Sequence, residues 1–384
     1  MPSVSYKPGC SSTQTTVRHL RSPRWVLRTM TSRRKLLTVS AATAAGAGGL
    51  TAVGVTSLPN GSSNRQKKAP AHLRGVVPLP YAQFISFDIT GESERVDALR
   101  AAHQAIMAID GGSVAAWLAL GEGVFASSTN KPRHLKRMPS FAGDVLDPVR
   151  SHGDLILHIT GSSARVVQQA VEQTLRALPQ QQVRWRADGT RPENRIENGR
   201  GLSRNPFHFT EGHGNPGTAA EITERATVRD YQGEPSWAIG GSYEVIRIIR
   251  LATDFWGRDT IEEQERIIGR RKEGRWLDGT PSTERAIFAA DPHGKTTPLD
   301  AHVRRAAPDR RNPPPTVRRS YNYHRGPDEQ GLIFSCFQSD LKKGFEAVQR
   351  RLQGEALAKY TLTVGGGYFF VPPPGDAWLR ATAD

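Results

Sequence analysis

Acidic residues are missing from the first 87 of the 384 residues; the first acid is Asp88. Cysteine is nearly absent too: Cys10 and Cys336 are the only two, too few for a disulfide framework. No CxxC or HExxH spacing occurs, which argues against a structural zinc site. Long hydrophobic runs are also lacking. The best candidate, Val39–Val55, is short and glycine-rich, poorly suited to spanning a bilayer.

What is present is positive charge, unevenly placed. The formal net charge is +15, and eight basic residues between 1 and 54, unopposed by any acid, leave +7 for the rest. Most of the signal for nucleic-acid binding therefore belongs to the N-terminal segment. The remainder suits an anionic ligand carrying propionate or phosphate groups. The basic run Lys131–Arg137 reads as a solvated face and lacks the interleaved aromatics that stack on bases, so no nucleic-acid partner is expected. Arg33-Arg34 ahead of the mild apolar run fits a twin-arginine (Tat) leader over 1–54, with Met30 as an alternative start. Residues 55–77 read as a linker, and the mature chain is expected in the periplasm or outside the cell.

The length allows two domains with full cores, here expected at 78–200 and 201–384. Alternation marks strands at Phe84–Ile89, Val114–Leu120, Asp154–Ile159 and Gln182–Arg186. Helical spacing marks Ser93–Ile109 and Ala164–Leu178. The order β-α-β-β-α-β is the ferredoxin-like split motif. The second half repeats it: strands at Gly241–Leu251, Arg318–Tyr323, Leu332–Gln338 and Tyr368–Val371, helices at Thr260–Arg271 and Asp340–Leu352. The fold class is α+β with antiparallel sheets. A long loop, Gly274–Thr316, interrupts the second repeat, and an insertion of that size in a compact domain is usually functional.

One stretch concentrates chemistry. Asn205–Gly217, NPFHFTEGHGNPG, places Glu211, His208 and His213 among glycines and prolines that preclude a regular helix or strand. A carboxylate on a glycine-flanked loop suits ligand binding or proton transfer, and a polar surface turn is the plain alternative. His152 and His158 read as structural.

Several co-linear blocks together resemble the dye-decolourising peroxidases, in their Tat-exported deferrochelatase branch. They are RHLKRMPSFAGDVLDP, SHGDLILHI, GGSYEVIRIIR, TIEEQERIIGRRK, PLDAHVR, RRSYNYHRG and VGGGYFF, spanning about Phe84 to Tyr368. The resemblance implies a haem b enzyme that oxidises substrates with hydrogen peroxide, or releases iron from haem with the porphyrin intact. It also implies two ferredoxin-like domains, with haem in the second. His302 of PLDAHVR matches the proximal iron ligand and Arg318 the distal arginine. Glu211 falls where the family has its catalytic aspartate. Gly212, His213 and Gly214 match backbone positions lining the haem, and Ala307, Pro308 and Asp309 match a run usually reading Asn-Pro-Arg. A homodimer and a membrane partner in iron uptake are expectations of the same origin.

The chain departs from the family at His208, where the family has glycine, at Glu211, and at His213, where it has threonine. Glu211 carries the aspartate's charge one methylene further out. His213 offers an alternative distal base or sixth iron ligand, and a non-catalytic haem carrier with a degenerate distal site is the rival reading. Arg318 is expected to pair with a propionate or with Glu211.

Overall fold

The computed structural model describes residues 69–383, apart from 90, 92–93, 126–128, 179–181, 310–311 and 327. The leader at 1–54 and the linker up to 68 lie outside the described residues. Residues 71–73, expected as linker, instead form a 3-10 turn in which His72 and Leu73 are buried, with His72 Nε2 2.9 Å from Ser242 Oγ.

The first repeat comprises β1 (Tyr81–Asp88), α1 (Arg95–Ile109), β2 (Val114–Leu120), β3 (Leu155–Gly161), α2 (Ala164–Arg176) and β4 (Gln182–Thr190). Helix α2 starts where Ser163 Oγ accepts from Val166 N, and it buries the stripe Val167, Ala170 and Val171. The strands lie in the order β4-β1-β3-β2, all antiparallel. A connecting segment follows, with β5 (Arg195–Glu197), β6 (Arg200–Arg204), β7 (Thr210–Glu211) and α3 (Ala219–Ala226).

The second repeat holds β8 (Ser242–Leu251), α4 (Thr253–Trp256), α5 (Ile261–Ile268), α6 (His302–Ala306), β9 (Val317–Arg318), β10 (Tyr321–His324), β11 (Gln330–Gln338), α7 (Phe345–Leu352), β12 (Thr361–Val371) and α8 (Trp378–Ala381). Its order is β12-β8-β11, with β9 and β10 sharing the free edge of β11. Both repeats are thus the expected ferredoxin-like unit. The strand expected over Arg318–Tyr323 is broken at Arg319–Ser320, and the break frees β10 to pair with β4 as well as β11. With β12 paired to β2 at Phe370 and Leu120, the two sheets close into a ring of eight strands, β10-β4-β1-β3-β2-β12-β8-β11.

Each strand of the ring sends at least one side chain into a shared interior, among them Phe84, Trp117, Ile156, Trp185, Ile246, Tyr321, Phe337 and Phe369. Glu244 is fully buried on this face and accepts from Trp117 Nε1 and Ser335 Oγ, with His158 Nδ1 3.3 Å away. Because side chains alternate along a strand, the opposite faces of β8 and β11 carry Arg247, Ile249, Leu251 and Leu332, Phe334, Cys336 outward, toward α6 and α7.

Other departures have local causes. Helix α7 begins at Phe345 rather than Asp340, because Asp340 Oδ1 accepts from Lys342 N and Lys343 N and closes a separate turn. Helix α5 stops at Gly269, whose φ of +86° ends it in the left-handed conformation. The basic run Lys131–Arg137 is not simply a solvated face. Leu135 is buried, His134 N donates to the Tyr243 hydroxyl, and Lys136 pairs with Glu346 at 2.8 Å. The last strand starts at Thr361 and passes through Gly365–Gly367, with a register shift beside the triplet. Gly366 has φ +117°, and a Cβ there would lie 2.0 Å from the Ile246 carbonyl oxygen. Replacing it with alanine is expected to lower unfolding free energy by about 2 kcal/mol or more, read from urea titration of the purified chain.

Candidate active site

A cavity of about 330 Å³ lies between the outward face of β8 and β11, helices α6 and α7, and the run from Asn205 to Asn215. Its walls are apolar, with Ile249, Leu332, Phe334, Phe345 and Val348 prominent, and its polar groups include Glu211, His213, His302 and Arg318. Few polar groups converging in an apolar recess is the usual character of a ligand site.

The run expected to be irregular is built around Asn205. Its Oδ1 accepts from Phe207 N at 3.1 Å and Phe209 N at 2.9 Å, which leaves Nδ2 to donate to Glu211 Oε1 at 3.1 Å. Phe207 and Phe209 are buried beside Trp256, the Phe207 ring stacked at 4.5 Å. A two-residue ladder does form, Thr210 and Glu211 against Arg204 and Ser203, so the run is not wholly without strand. The ladder fixes the backbone that carries the carboxylate. Gly212 follows with φ +103°, and a Cβ there would lie 2.1 Å from the Gly201 carbonyl oxygen, a position only glycine fills without displacement. His208 has φ +63°, a left-handed conformation that glycine adopts freely and a histidine only under strain.

His302 opens α6, inside the segment read from sequence as loop. Its Nδ1 lies 2.6 Å from Glu355 Oε2. A carboxylate partner requires the proton on Nδ1, so in the neutral ring Nε2 carries the lone pair. Burial pushes the His302 pKa down, but the charge of Glu355 and its hydrogen bond, aided by Glu211, outweigh that and hold it above the ordinary value. Glu355 was invisible to sequence reasoning. It sits 53 residues from His302, on the turn that Gly354 makes with φ +72° after α7, and no local pattern marks it. The nearer acid, Asp300, plays a different part: its backbone carbonyl accepts from Ala356 N.

Arg318 is half-buried on β9. Its Nη2 donates to the His213 carbonyl at 2.8 Å, and its backbone N and Nε donate to Asn215 Oδ1. The expected bond to Glu211 is not made. Burial lowers the Arg318 pKa, and the field of Glu211 acts the other way without a direct contact. His213 lines the cavity, but its Nε2 is buried without a partner against Gly274, where a Cβ would lie 2.0 Å from it. Burial, then Arg270, Arg318, Arg200 and Arg195, push its pKa down to about 3. A ring turned into that turn does not offer Nε2 as a sixth ligand. Of the positions matched to haem-lining ones, Gly214 and Ala307 line the cavity; Pro308 and Asp309 do not, because the chain leaves the wall after the cap of α6.

The balance of charge in the cavity is positive. Arg247 is matched by a buried bidentate pair with Asp144. Arg191, by contrast, donates to neutral acceptors, Asn194 Oδ1 and the Ser320 carbonyl, as Arg318 does. Sequence reasoning missed Asn205, Arg191 and Glu355 alike. Replacing His208 with glycine is expected to raise stability by up to about 1 kcal/mol, since strain relief of about 1–2 kcal/mol exceeds the entropy that glycine returns to the unfolded chain. Urea unfolding of the two proteins measures it.

Two family models match the chain: Dyp-type peroxidase, N-terminal, over residues 78–191, and Dyp-type peroxidase, C-terminal, over residues 202–376. A deferrochelatase of Yersinia pestis is 38% identical over 263 residues, covering 65% of this chain and 60% of that protein. A deferrochelatase of Escherichia coli K12 is 35% identical over 261 residues, covering 65% and 62%. The match thus spans about 60% of the length of these curated relatives. Among solved structures, ferric DtpA from Streptomyces lividans superposes with a TM-score of 0.71 at 28% identity, over 80% of this chain and 94% of that one. Matched across both repeats and superposing on such a structure, the chain belongs to the Dyp-type peroxidase family.

Proposed function

We propose that this protein is a haem b peroxidase that also has the capacity of its relatives named deferrochelatases, release of iron from haem. The observation that carries the reading is the His302–Glu355 pair at the edge of an apolar, positively charged cavity. No described group of three or more His, Cys, Asp or Glu side chains is arranged to hold a bare metal ion. A single imidazole with a free Nε2 suits an iron already held by a porphyrin. Arg191 and Arg318, donating only to neutral acceptors, suit the two carboxylates of a haem. The residues present therefore fit the group.

When bound, haem would supply the iron at which hydrogen peroxide is reduced. The chain's own residues divide the remaining work. His302 would hold the iron through Nε2, and Glu355 keeps the proton on Nδ1, raising the basicity of Nε2. Glu211 would take a proton from one peroxide oxygen and return it to the other, with Asn205 steadying Oε1. Arg318 stabilises negative charge that develops during O–O cleavage. Phe207 and Phe209 brace the carboxylate loop and keep water from its rear. The carrier reading would need a second axial ligand, and the burial of His213 Nε2 weighs against it.

The domain division 78–200 and 201–384 is proposed with this reading and is supported by the extents of the two family matches. Export of the folded, haem-loaded chain by the Tat route is a further part of the proposal, resting on the twin arginines Arg33-Arg34. No helix among the described residues is long and apolar enough to cross a membrane. A homodimer and an iron-uptake partner at the membrane complete the proposal.

Two measurements test the site. The purified chain offered haem is expected to give a stoichiometric Soret band and release free porphyrin or consume peroxide; His302→Ala is expected to lose the band, and a normal band would remove the ligand assignment. Glu211→Asp is expected to speed the reaction with peroxide, since a misplacement of ~1 Å is worth on the order of 10²-fold. An unchanged or slower rate in stopped flow would show that the longer side chain is no handicap.

A further inference from the structure

Helices α6 and α7 end side by side, and each ends on carbonyl groups that its own hydrogen bonding leaves over. The two helices exchange arginines to satisfy them. Arg305, in α6, places Nη1 on the carbonyls of Arg351 and Gln353 at the end of α7. Arg351, in α7, places Nε on the carbonyl of Arg305 at 3.2 Å and Nη2 on that of Ala306 at 2.8 Å. Each guanidinium therefore sits at the negative end of the other helix, where the dipole adds to the hydrogen bonds. The exchange is reciprocal, so neither helix end can shift without breaking bonds at both.

The place of this clamp gives it a consequence. Arg305 is one helical turn after His302, and the carbonyls it holds lie just before Glu355. The adjacent residue ties α6 elsewhere: Arg304 donates to the carbonyls of Thr297 and Asp291 in the inserted segment. A helix of five residues has little rigidity of its own. Its register against α7, and with it the 2.6 Å contact from His302 Nδ1 to Glu355 Oε2, is held at the C-terminal end by the two exchanged arginines and at the N-terminal end by the bond from Ala356 N to the Asp300 carbonyl. We propose that Arg305 and Arg351 are positioning residues that set the His302–Glu355 bond, and through it the basicity of His302 Nε2 toward the haem iron. The inference rests on His302 being the axial ligand.

The test is a double-mutant cycle on the haem-loaded chain, comparing wild type, Glu355→Gln, Arg351→Gln and the double variant. Three quantities are read: the haem dissociation constant, the iron–imidazole stretching band of the reduced protein, and its reduction potential. Glu355→Gln is expected to weaken haem binding by roughly 10–100-fold, to lower the stretching frequency and to raise the potential. Arg351→Gln is expected to move all three the same way, with binding weaker by about tenfold, and to add nothing in the Glu355→Gln background. Arg351→Lys, which keeps the charge but lacks the planar fork, is expected to fall between. A clamp that is only structural would lower thermal stability and leave the band and potential in place, and that result overturns the proposal. If Glu355→Gln itself moves neither band nor potential, the axial assignment has failed and the proposal falls with it; if only the arginine variants are silent, the assignment stands and the clamp alone is refuted.

Discussion

The contact between His302 and Glu355 is the constraint on which the site turns. It joins a five-residue helix in the inserted segment to the turn after α7, beside the arginines exchanged between α6 and α7 and the Ala356 N to Asp300 carbonyl bond. A neutral imidazole with its Nδ1 proton held by a carboxylate has one orientation and one tautomer. That is what suits a loop histidine to the ligand role proposed for it. The surrounding arginines then act on geometry as much as on charge, capping helix ends and tying the segment on both sides.

On the other side of the cavity the organising group is Asn205. Its carboxamide oxygen gathers two backbone N–H groups, and its nitrogen is thereby committed to Glu211. The aromatic pair Phe207 and Phe209 anchors the loop in a small core around Trp256. The loop keeps a conformation that suits glycine at His208 and requires it at Gly212. The strain at His208 is local and is borne by the ladder, the Asn205 turn and the buried rings together. The proposed carboxylate role of Glu211 thus rests on a backbone that this chain has filled with a bulkier residue.

The ring of eight strands explains how the two repeats support one site. Closing the sheets gives both repeats a common interior, and it leaves the outward face of β8 and β11 as a stiff floor for the cavity. Arg247, reaching Asp144 from that floor, ties the first repeat to the second at the cavity wall. Stiffness matters because proton transfer and iron ligation tolerate little misplacement.

Sequence alone determined the repeats, because alternation and helical spacing are local consequences of which face is buried. Block resemblance singled out His302, Arg318 and the glycine-flanked Glu211, which line one cavity, since each lies within a short, ordered run. Only the tertiary structure decided their partners. Glu355 is far along the chain from His302, Arg191 comes from the end of the first repeat, and nothing local says that Pro308 and Asp309 turn away while Ala307 stays. Nor could sequence place the His213 ring, which is settled by the space above Gly274. Side-chain identity is written in order along the chain, whereas hydrogen-bond partnership is fixed by packing between segments distant in that order.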